Sequence, residues 1–514
     1  MSPGDDEHQN TIHFILSPRR GLGIAVVRGD GQGNWSVETK GYGIATANGS
    51  RVTENTLFPI GSNSKPLDFD LMSHRTGLPR HDRSYKWSDD TLTVIRKLKT
   101  QRPSAEFREV FQYNNLMYMV LSYLPTRLLP SKVPFARYVK QHIFDPLGLS
   151  STTYSYDVAQ LGHLANGMTR QGINYSANPF GGTPRALPFW STTSGEDGNI
   201  LSAPGGVISN AVDMATWLQT LLLNGIKPGT EDVIISRDIL EKVSGGITVA
   251  DPEAAFPELS PTVYGGGQAR SSYRGHEIVE HDGGVPGFSS LVTRLPFDNL
   301  GLAILCNDNE YGGAIMSIIR YRLIDEALGL DKIDWEGRFK PFVTTLPPLA
   351  TPPPINASLP SVSFPNLAGT YDDGGYGKFE LCYVSPNKYP TQSRKCQDLS
   401  ANLSTILPGA AVPGIPTFIA EWDSPWTSHT RLLHFDGNIF NVSLLSSFPT
   451  GNVSAPFWTY NGDTAFDAGT LAETVADGGH IGLALTGIWG AGAGVPRPQG
   501  NAPRERAEVF FDKL

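Results

Sequence analysis

Three cysteines in 514 residues are too few for a disulfide scaffold. Cys382 and Cys396 stand close enough in sequence to pair or to remain two thiols, and the sequence leaves both open. Cys306 closes the apolar run from Leu302 and reads as a buried small hydrophobe. Runs of Lys and Arg are also missing, and the formal net charge is −9, so a nucleic-acid or anionic-membrane surface is excluded. No stretch of about eighteen apolar residues exists to span a membrane as a helix. The first residues, Met1 to His8, have neither a basic start nor an apolar core, so no signal peptide is expected there. Charged residues make up only 18% and hydrophobic ones 39%, a balance that buries a core and does not read as disordered. With 55 Gly and 39 Pro, turns and long loops are expected in place of a helix bundle.

The length calls for two domains. Strand signals come first: Leu22 to Arg28, a Gly-rich turn from Gly29 to Asn34, and a second run through Gly41 to Ala45. Three more follow at His276 to His281, Phe288 to Leu295 and Leu300 to Cys306. Helical periodicity lies between them, at Leu116 to Leu124, Phe135 to Phe144 and Val212 to Leu223, the last with Asn210 as its cap. A longer helix is expected from Ala314 to Leu328, stopping at Gly329. Strands at both ends of the first 330 residues predict an α+β domain, residues 1–340, whose terminal strands share one antiparallel sheet around a helical insertion. Residues 341–362 are Pro-rich and read as an extended, non-helical linker. From 363 to 514 about seven short strands recur, with a tight turn at Asp436-Gly437, which predicts a small β-barrel, lipocalin-like, or a sandwich. Seven Asn-x-Ser/Thr sites (Asn34, Asn48, Asn174, Asn356, Asn402, Asn441, Asn452) exceed the roughly four expected by chance and lean toward secretion, against the missing signal peptide.

Hydrolysis at neutral pH needs a nucleophile, a base beside it and donors for an oxyanion. Two Ser-x-x-Lys spacings exist, Ser62 with Lys65 and Ser385 with Lys388, and roughly one would arise by chance. Ser62 follows the apolar entry Phe58 to Gly61, and a helix starting there sets Ser62 and Lys65 one turn apart on one face. Ser385 precedes Pro386 among strands and reads as a surface turn. Taken alone, Ser62 is equally a helix cap, Tyr113 a core aromatic and His281 a strand-end surface residue. His74, His81 and Asp82 invite a metal reading, but their spacing fits neither a helical His pair nor a zinc loop; a packing role is expected for the segment.

Ser62-x-x-Lys65, Tyr113-x-Asn115 and His281-x-Gly283 occur in the order seen in the serine β-lactamase and penicillin-binding fold. Phe58 to Lys65, Leu71 to Asp82, Phe111 to Tyr118, Pro146 to Leu149, Pro204 to Ser209 and Tyr264 to Gly267 also resemble stretches of its class C-like branch. The similarity covers most of residues 20–330. The sequence resembles the β-lactamase-related serine hydrolases, which include D-aminopeptidases, D,D-peptidases, esterases and acyltransferases. That resemblance implies an acyl-enzyme on Ser62, with Lys65 and Tyr113 moving its proton and Asn115 bonding Lys65 or a substrate amide. His281 stands where Lys is more usual, as in D-aminopeptidase-like members. The backbone N–H groups of Ser62 and Gly284 would bind the oxyanion. It implies a small-molecule or peptide amide or ester as substrate and no metal or cofactor, and leaves the oligomeric state unknown.

One departure bears on activity. In the family the Ser-x-x-Lys helix continues as a long apolar helix; here Lys65 runs directly into Pro66, which cannot donate to a continuing helix. An internal deletion is implied, and with it low turnover. A catalytically impaired relative, or a non-catalytic binding module, is therefore the alternative to an active hydrolase. A carrier role for the C-terminal strands is a third, weaker reading.

Overall fold

The strand Leu300–Cys306 is apolar and buried at every position, which requires a sheet covered on both faces. The computed structural model describes residues 20–64, 69–192, 195–345, 350–385, 392–462, 469–492 and 494–514. It holds two compact units, one of Met1–Arg75 with Met117–Leu346, the other of Thr76–Leu116 with Pro347–Leu514. Residues 76–116, which the sequence reading assigned to the first domain, thus belong with the C-terminal strands.

In the first unit the strands are β1 (Gly21–Gly29), β2 (Trp35–Gly43), β3 (Phe58–Pro59), β4 (Gly167–Gln171), β5 (Thr183–Leu187), β6 (Ile208–Ser209), β7 (Thr248–Asp251), β8 (Thr262–Tyr264), β9 (Ala269–Tyr273), β10 (His276–Val285), β11 (Phe288–Leu295) and β12 (Leu300–Cys306). Eight of them form one antiparallel sheet in the order β2-β1-β12-β11-β10-β9-β8-β7, so the first and last strands are neighbours, as expected. Gly23 and Gly301 turn toward helix Ala211–Leu222; a Cβ on Gly301 would stand 3.2 Å from the Cβ of Leu218, so glycine permits that close approach. Asn210 caps this helix, accepting from the Asp213 N–H at 2.8 Å. On the opposite face Leu22, Ile24, Leu302 and Ile304 pack with Ile315, Ile319, Tyr321 and Trp335. Each such side chain contributes roughly 1.5–3 kcal/mol on burial. Those partners come from helix Gly312–Leu328, which ends at Gly329 in the left-handed region (φ 66°), and helix Trp335–Thr344. The second of these corrects the linker reading: Pro341 lies inside a helix, one that Trp335 and Phe339 hold by packing against the core. Residues 350–360 contain no helix or strand.

Beyond β12 the chain is pinned by polar groups. Asn307 accepts from the Gly21 N–H at 2.6 Å and donates to the carbonyls of Ile44 and Asn166 at 3.1 and 3.0 Å. Asp308 pairs with the guanidinium of Arg20. Glu310 accepts from the Thr169 hydroxyl and from the Arg170 N–H, while its Oε2 has no hydrogen-bond partner among the described residues. Burial first, and the charge of Asp308 second, push the Glu310 carboxyl up to about 7. A carboxyl whose folded pKa exceeds its unfolded value binds its proton more tightly when folded. Stability therefore falls as pH rises from about 4.5 to about 7. The loss from this group is at most about 3 kcal/mol, reduced by whatever water reaches the side chain. Glu310→Gln is expected to gain stability over the parent chain by up to that amount at pH 8 relative to pH 5. Denaturant unfolding at the two pH values measures it; a mutant-minus-parent difference unchanged between them would refute the assignment.

The second unit contains β13 (Gly369–Asp373), β14 (Gly377–Val384), β15 (Thr417–Ser424), β16 (Thr427–Asp436), β17 (Ile439–Asn452), β18 (Ala455–Tyr460), β19 (Leu471–Asp477), β20 (His480–Thr486) and β21 (Val509–Lys513). They run β16-β15-β14-β13-β21-β20-β19-β17, and β17 returns to β16, closing an eight-stranded antiparallel barrel with β18 beside β17. Closure removes the exposed edges. The turn between β16 and β17 has Gly437 at φ 52°, and Asp436 and Asn438 accept from the N–H groups of Ser358 and Ser361 at 2.7 and 2.8 Å. Tyr371, Phe418, Trp422, Phe440 and Phe511 fill the interior, which speaks against a carrier's hollow. Cys382 and Cys396 form a disulfide between β14 and helix Arg394–Ile406, with Cα atoms 5.1 Å apart. On the chain-entropy model a loop of that size gains about 3 kcal/mol. Cys306 is a buried free thiol, its pKa pushed up by burial. Asn441 is buried, and its amide donates to the Thr351 carbonyl at 2.9 Å, so that sequon has no free amide for a glycan.

Candidate functional site

Ser62 lies half-buried on a single 3-10 turn, Gly61–Ser64, directly after β3. Hydrogen bonds from its neighbours, not from Ser62, hold this turn. The Ser64 hydroxyl donates to the Gly61 carbonyl at 2.7 Å and accepts from the Val207 N–H at 3.1 Å. Asn63 donates to Ser290 Oγ at 2.8 Å, and Ser290 donates to the Ile60 carbonyl at 2.7 Å. Lys65, Pro66 and the junction after them lie outside the described residues, as do Lys388 and the residues at the start of the chain. On the far side of that junction the chain resumes as a four-residue helix, Phe69–Met72.

The end of β10 packs against this turn through glycine. Gly61 has φ 51°, and a Cβ on it would stand 3.0 Å from the Gly284 nitrogen; a Cβ on Gly283 would stand 2.1 Å from the Ile60 carbonyl oxygen. Burial alternates along β10: His281 and Gly283 face inward, Gly284 outward. The turn that carries Ser62 and the strand end that carries Gly284, far apart in sequence, thus meet at Gly61 and Gly283.

His281 is 6% exposed. Its Nδ1 faces the Asp282 carbonyl oxygen at 2.5 Å and its Nε2 the Tyr264 hydroxyl at 2.8 Å. A carbonyl only accepts, so Nδ1 carries a proton; in the neutral ring Nε2 then accepts from Tyr264. Tyr264, which the sequence placed in a family-like stretch but gave no role, is a hydrogen-bond partner of His281. Strand register brings it there: Tyr264 pairs with Ala269, and Ala269 with Glu280, the residue before His281. Neither β8 nor β9 is apolar enough to announce itself.

Tyr113 and Asn115 belong to the other unit. Asn115 begins helix Asn115–Leu121, and its amide donates to Asp82 Oδ1 at 3.1 Å. Tyr113 lies under the guanidinium of Arg80, with Cζ 5.0 Å from the ring centroid. Arg80 Nε donates to Asp82 Oδ2 at 2.6 Å. Burial alone would raise the Asp82 carboxyl, but the Arg80 charge and the hydrogen bonds from Arg80 and Asn115 bring it below the ordinary value. The histidines of this stretch have packing partners. His74 sits between the rings of Tyr118 and Tyr264, at 5.3 and 5.2 Å. In the other unit, the Nδ1 of His81 meets the Tyr376 hydroxyl at 2.8 Å. Among the described residues no group of three or more His, Cys, Asp or Glu could hold a metal ion.

Residues 69–324 match the Beta-lactamase family model. The Unguisins hydrolase ungD of Aspergillus violaceofuscus is 28% identical over 459 residues, covering 74% of this chain and 77% of that protein. The Unguisins hydrolase ungD' of Aspergillus campestris is 28% identical over 373 residues, covering 61% and 64%. The octameric penicillin-binding protein homologue from Pyrococcus abyssi shares the fold, with a TM-score of 0.51 at 15% identity over the full length of both chains. Residues 69–324 therefore belong to the β-lactamase-related serine hydrolase family. The matched stretch includes Tyr113, Asn115, His281 and Gly284 and begins at Phe69, after Ser62 and Lys65.

Proposed function

We propose that the chain hydrolyses a small-molecule or peptide amide or ester through an acyl-enzyme on Ser62. Ser62 Oγ attacks the carbonyl, Lys65 and Tyr113 take its proton and return it to the leaving group, and the N–H groups of Ser62 and Gly284 bind the oxyanion. Asn115 holds the substrate amide or Lys65. His281, with its ring fixed by Tyr264, fills the position where relatives carry Lys. The observation that carries this reading is the approach of the Gly61–Ser64 turn to Gly284, so close that a Cβ on Gly61 would stand 3.0 Å from the Gly284 nitrogen. Because the named relatives are hydrolases of unguisins, unguisins are the first amide substrates to try. Incubation with a fluorophosphonate or a fluorescent penicillin, followed by mapping of the labelled peptide by mass spectrometry, tests the nucleophile. A label on the peptide containing Ser62 is the expected result; a label elsewhere sinks the proposal.

A second reading, a catalytically impaired relative, is supported by the direct step from Lys65 to Pro66 in the sequence and by a family match that starts only at Phe69. Misplacement of a catalytic group by about 1 Å can cost about 100-fold. Turnover of nitrocefin, p-nitrophenyl esters and D-alanyl anilides is therefore expected to be slow or nil, and an apolar helix of about fifteen residues replacing Pro66 should raise it. A kcat of about 1–10³ per second from the unaltered chain would overturn this second reading.

A further inference from the structure

Asp82 does more than pair with Arg80. Its Oδ1 accepts from Asn115 and also from the Tyr85 hydroxyl, each at 3.1 Å. Tyr85 is fully buried, and its hydroxyl accepts from Trp426 Nε1 at 2.7 Å. Trp426 stands in the turn between β15 and β16 of the barrel. Every link in this chain has a fixed direction. An indole N–H only donates, so the Tyr85 oxygen accepts from it and sends its own proton to Asp82. Burial and the charge of Asp82 hold the Tyr85 phenol well above its usual pKa, so that proton stays. Asp82, ionised, accepts from Tyr85, Asn115 and Arg80, and Arg80 covers the ring of Tyr113. Further bonds fasten the same stretch to the barrel, among them Trp422 Nε1 to the Arg83 carbonyl at 3.1 Å and the His81 N–H to the Trp489 carbonyl at 2.8 Å.

We propose that Asp82 is the positioning residue of the Tyr113–Asn115 pair and that Trp426 of the barrel sets Asp82 through Tyr85. The inference rests on the reading of Tyr113 and Asn115 as site residues, and makes the barrel part of the catalytic apparatus. Asp82 touches no reacting atom; it fixes where the Asn115 amide points and holds the Arg80 guanidinium over Tyr113. An asparagine in its place offers one acceptor oxygen and two N–H groups to three donors, so the set cannot be satisfied together.

The test uses the full chain with Asp82→Asn, Trp426→Phe and the double variant, reading kcat and KM separately on a p-nitrophenyl ester and the rate of fluorophosphonate labelling. Asp82→Asn is expected to lower kcat and labelling rate by about 100-fold with KM within about threefold. Trp426→Phe should lower them by about 5- to 10-fold, and the double variant no further than Asp82→Asn alone, the non-additivity of one connected network. Single losses that multiply in the double variant, or Asp82→Asn with unchanged kcat and labelling, would overturn the proposal. If the parent chain itself is never labelled at Ser62, the functional reading has failed, and a crystal structure of Asp82→Asn decides the positioning. Displacement of the Asn115 amide and the Tyr113 ring by about 1 Å or more supports it; unmoved side chains overturn it.

Discussion

Ser62→Ala is expected to abolish covalent labelling while leaving the fold intact. Loss of a nucleophile that acts with its base as one unit costs on the order of 10⁶-fold, so residual labelling should fall below detection. The fold survives because the turn does not depend on the Ser62 side chain: Ser64, Asn63 and Ser290 make its hydrogen bonds. A change in stability beyond about 0.5 kcal/mol is not expected for a half-exposed hydroxyl outside those bonds. Ser64→Ala is the structural counterpart. It removes a buried bridge between the Gly61 carbonyl and the Val207 N–H and should cost about 1–3 kcal/mol. Thermal unfolding and labelling of both variants separate the two roles. Undiminished labelling of Ser62→Ala would refute the nucleophile assignment.

Gly283→Ala should also damage the site, to a smaller extent and for a different reason. Its Cβ would stand 2.1 Å from the Ile60 carbonyl oxygen and 2.6 Å from Ser290 Oγ. The Ser290 hydroxyl can rotate away; the carbonyl cannot, because it belongs to the backbone that leads into the Ser62 turn. Strand and turn must separate by about 1 Å, with a loss of about 100-fold in reactivity at Ser62 and a lower melting temperature. Its neighbour is the control: a Cβ on Gly284 meets nothing within 4 Å, and alanine there keeps the N–H. Gly284→Ala should label within a few fold of the parent. Equal labelling rates for the two variants would show that the close contact does not govern the site.

The apolar strands and the long helix were legible in the sequence because burial alone determines them. Phe288–Leu295 and Leu300–Cys306 have the bounds their composition suggests, since both are buried nearly throughout. β7, β8 and β9 were missed because Thr, Ser and Arg make them half-exposed and polar, and β18 and β19 for a similar mixture in the barrel. At the site, Ser62, His281 and Gly284 could be named from order and motif. Tyr264 could not, because its link to His281 passes through two strand pairings of unremarkable residues. Asp82 stood out in the sequence only as a doubtful metal ligand; its tie to Asn115 spans 33 positions and leaves no pattern in the sequence. The unit boundary at Arg75 and Thr76 has no Pro-rich or low-complexity signal, whereas the conspicuous prolines from Pro341 onward begin inside a helix.

The barrel closes through β21, whose Lys513 pairs with Tyr371. Residues 76–116 complete their packing only against strands made after residue 369. During synthesis, therefore, Tyr113 and Asn115 leave the ribosome long before the surface that orders them, which is finished only when β21 has been made. The enzyme cannot assemble its Tyr-x-Asn motif from the amino-terminal end alone, and a ribosome that stalls or terminates short of Val509 releases a chain whose motif has the right letters and no frame to hold them.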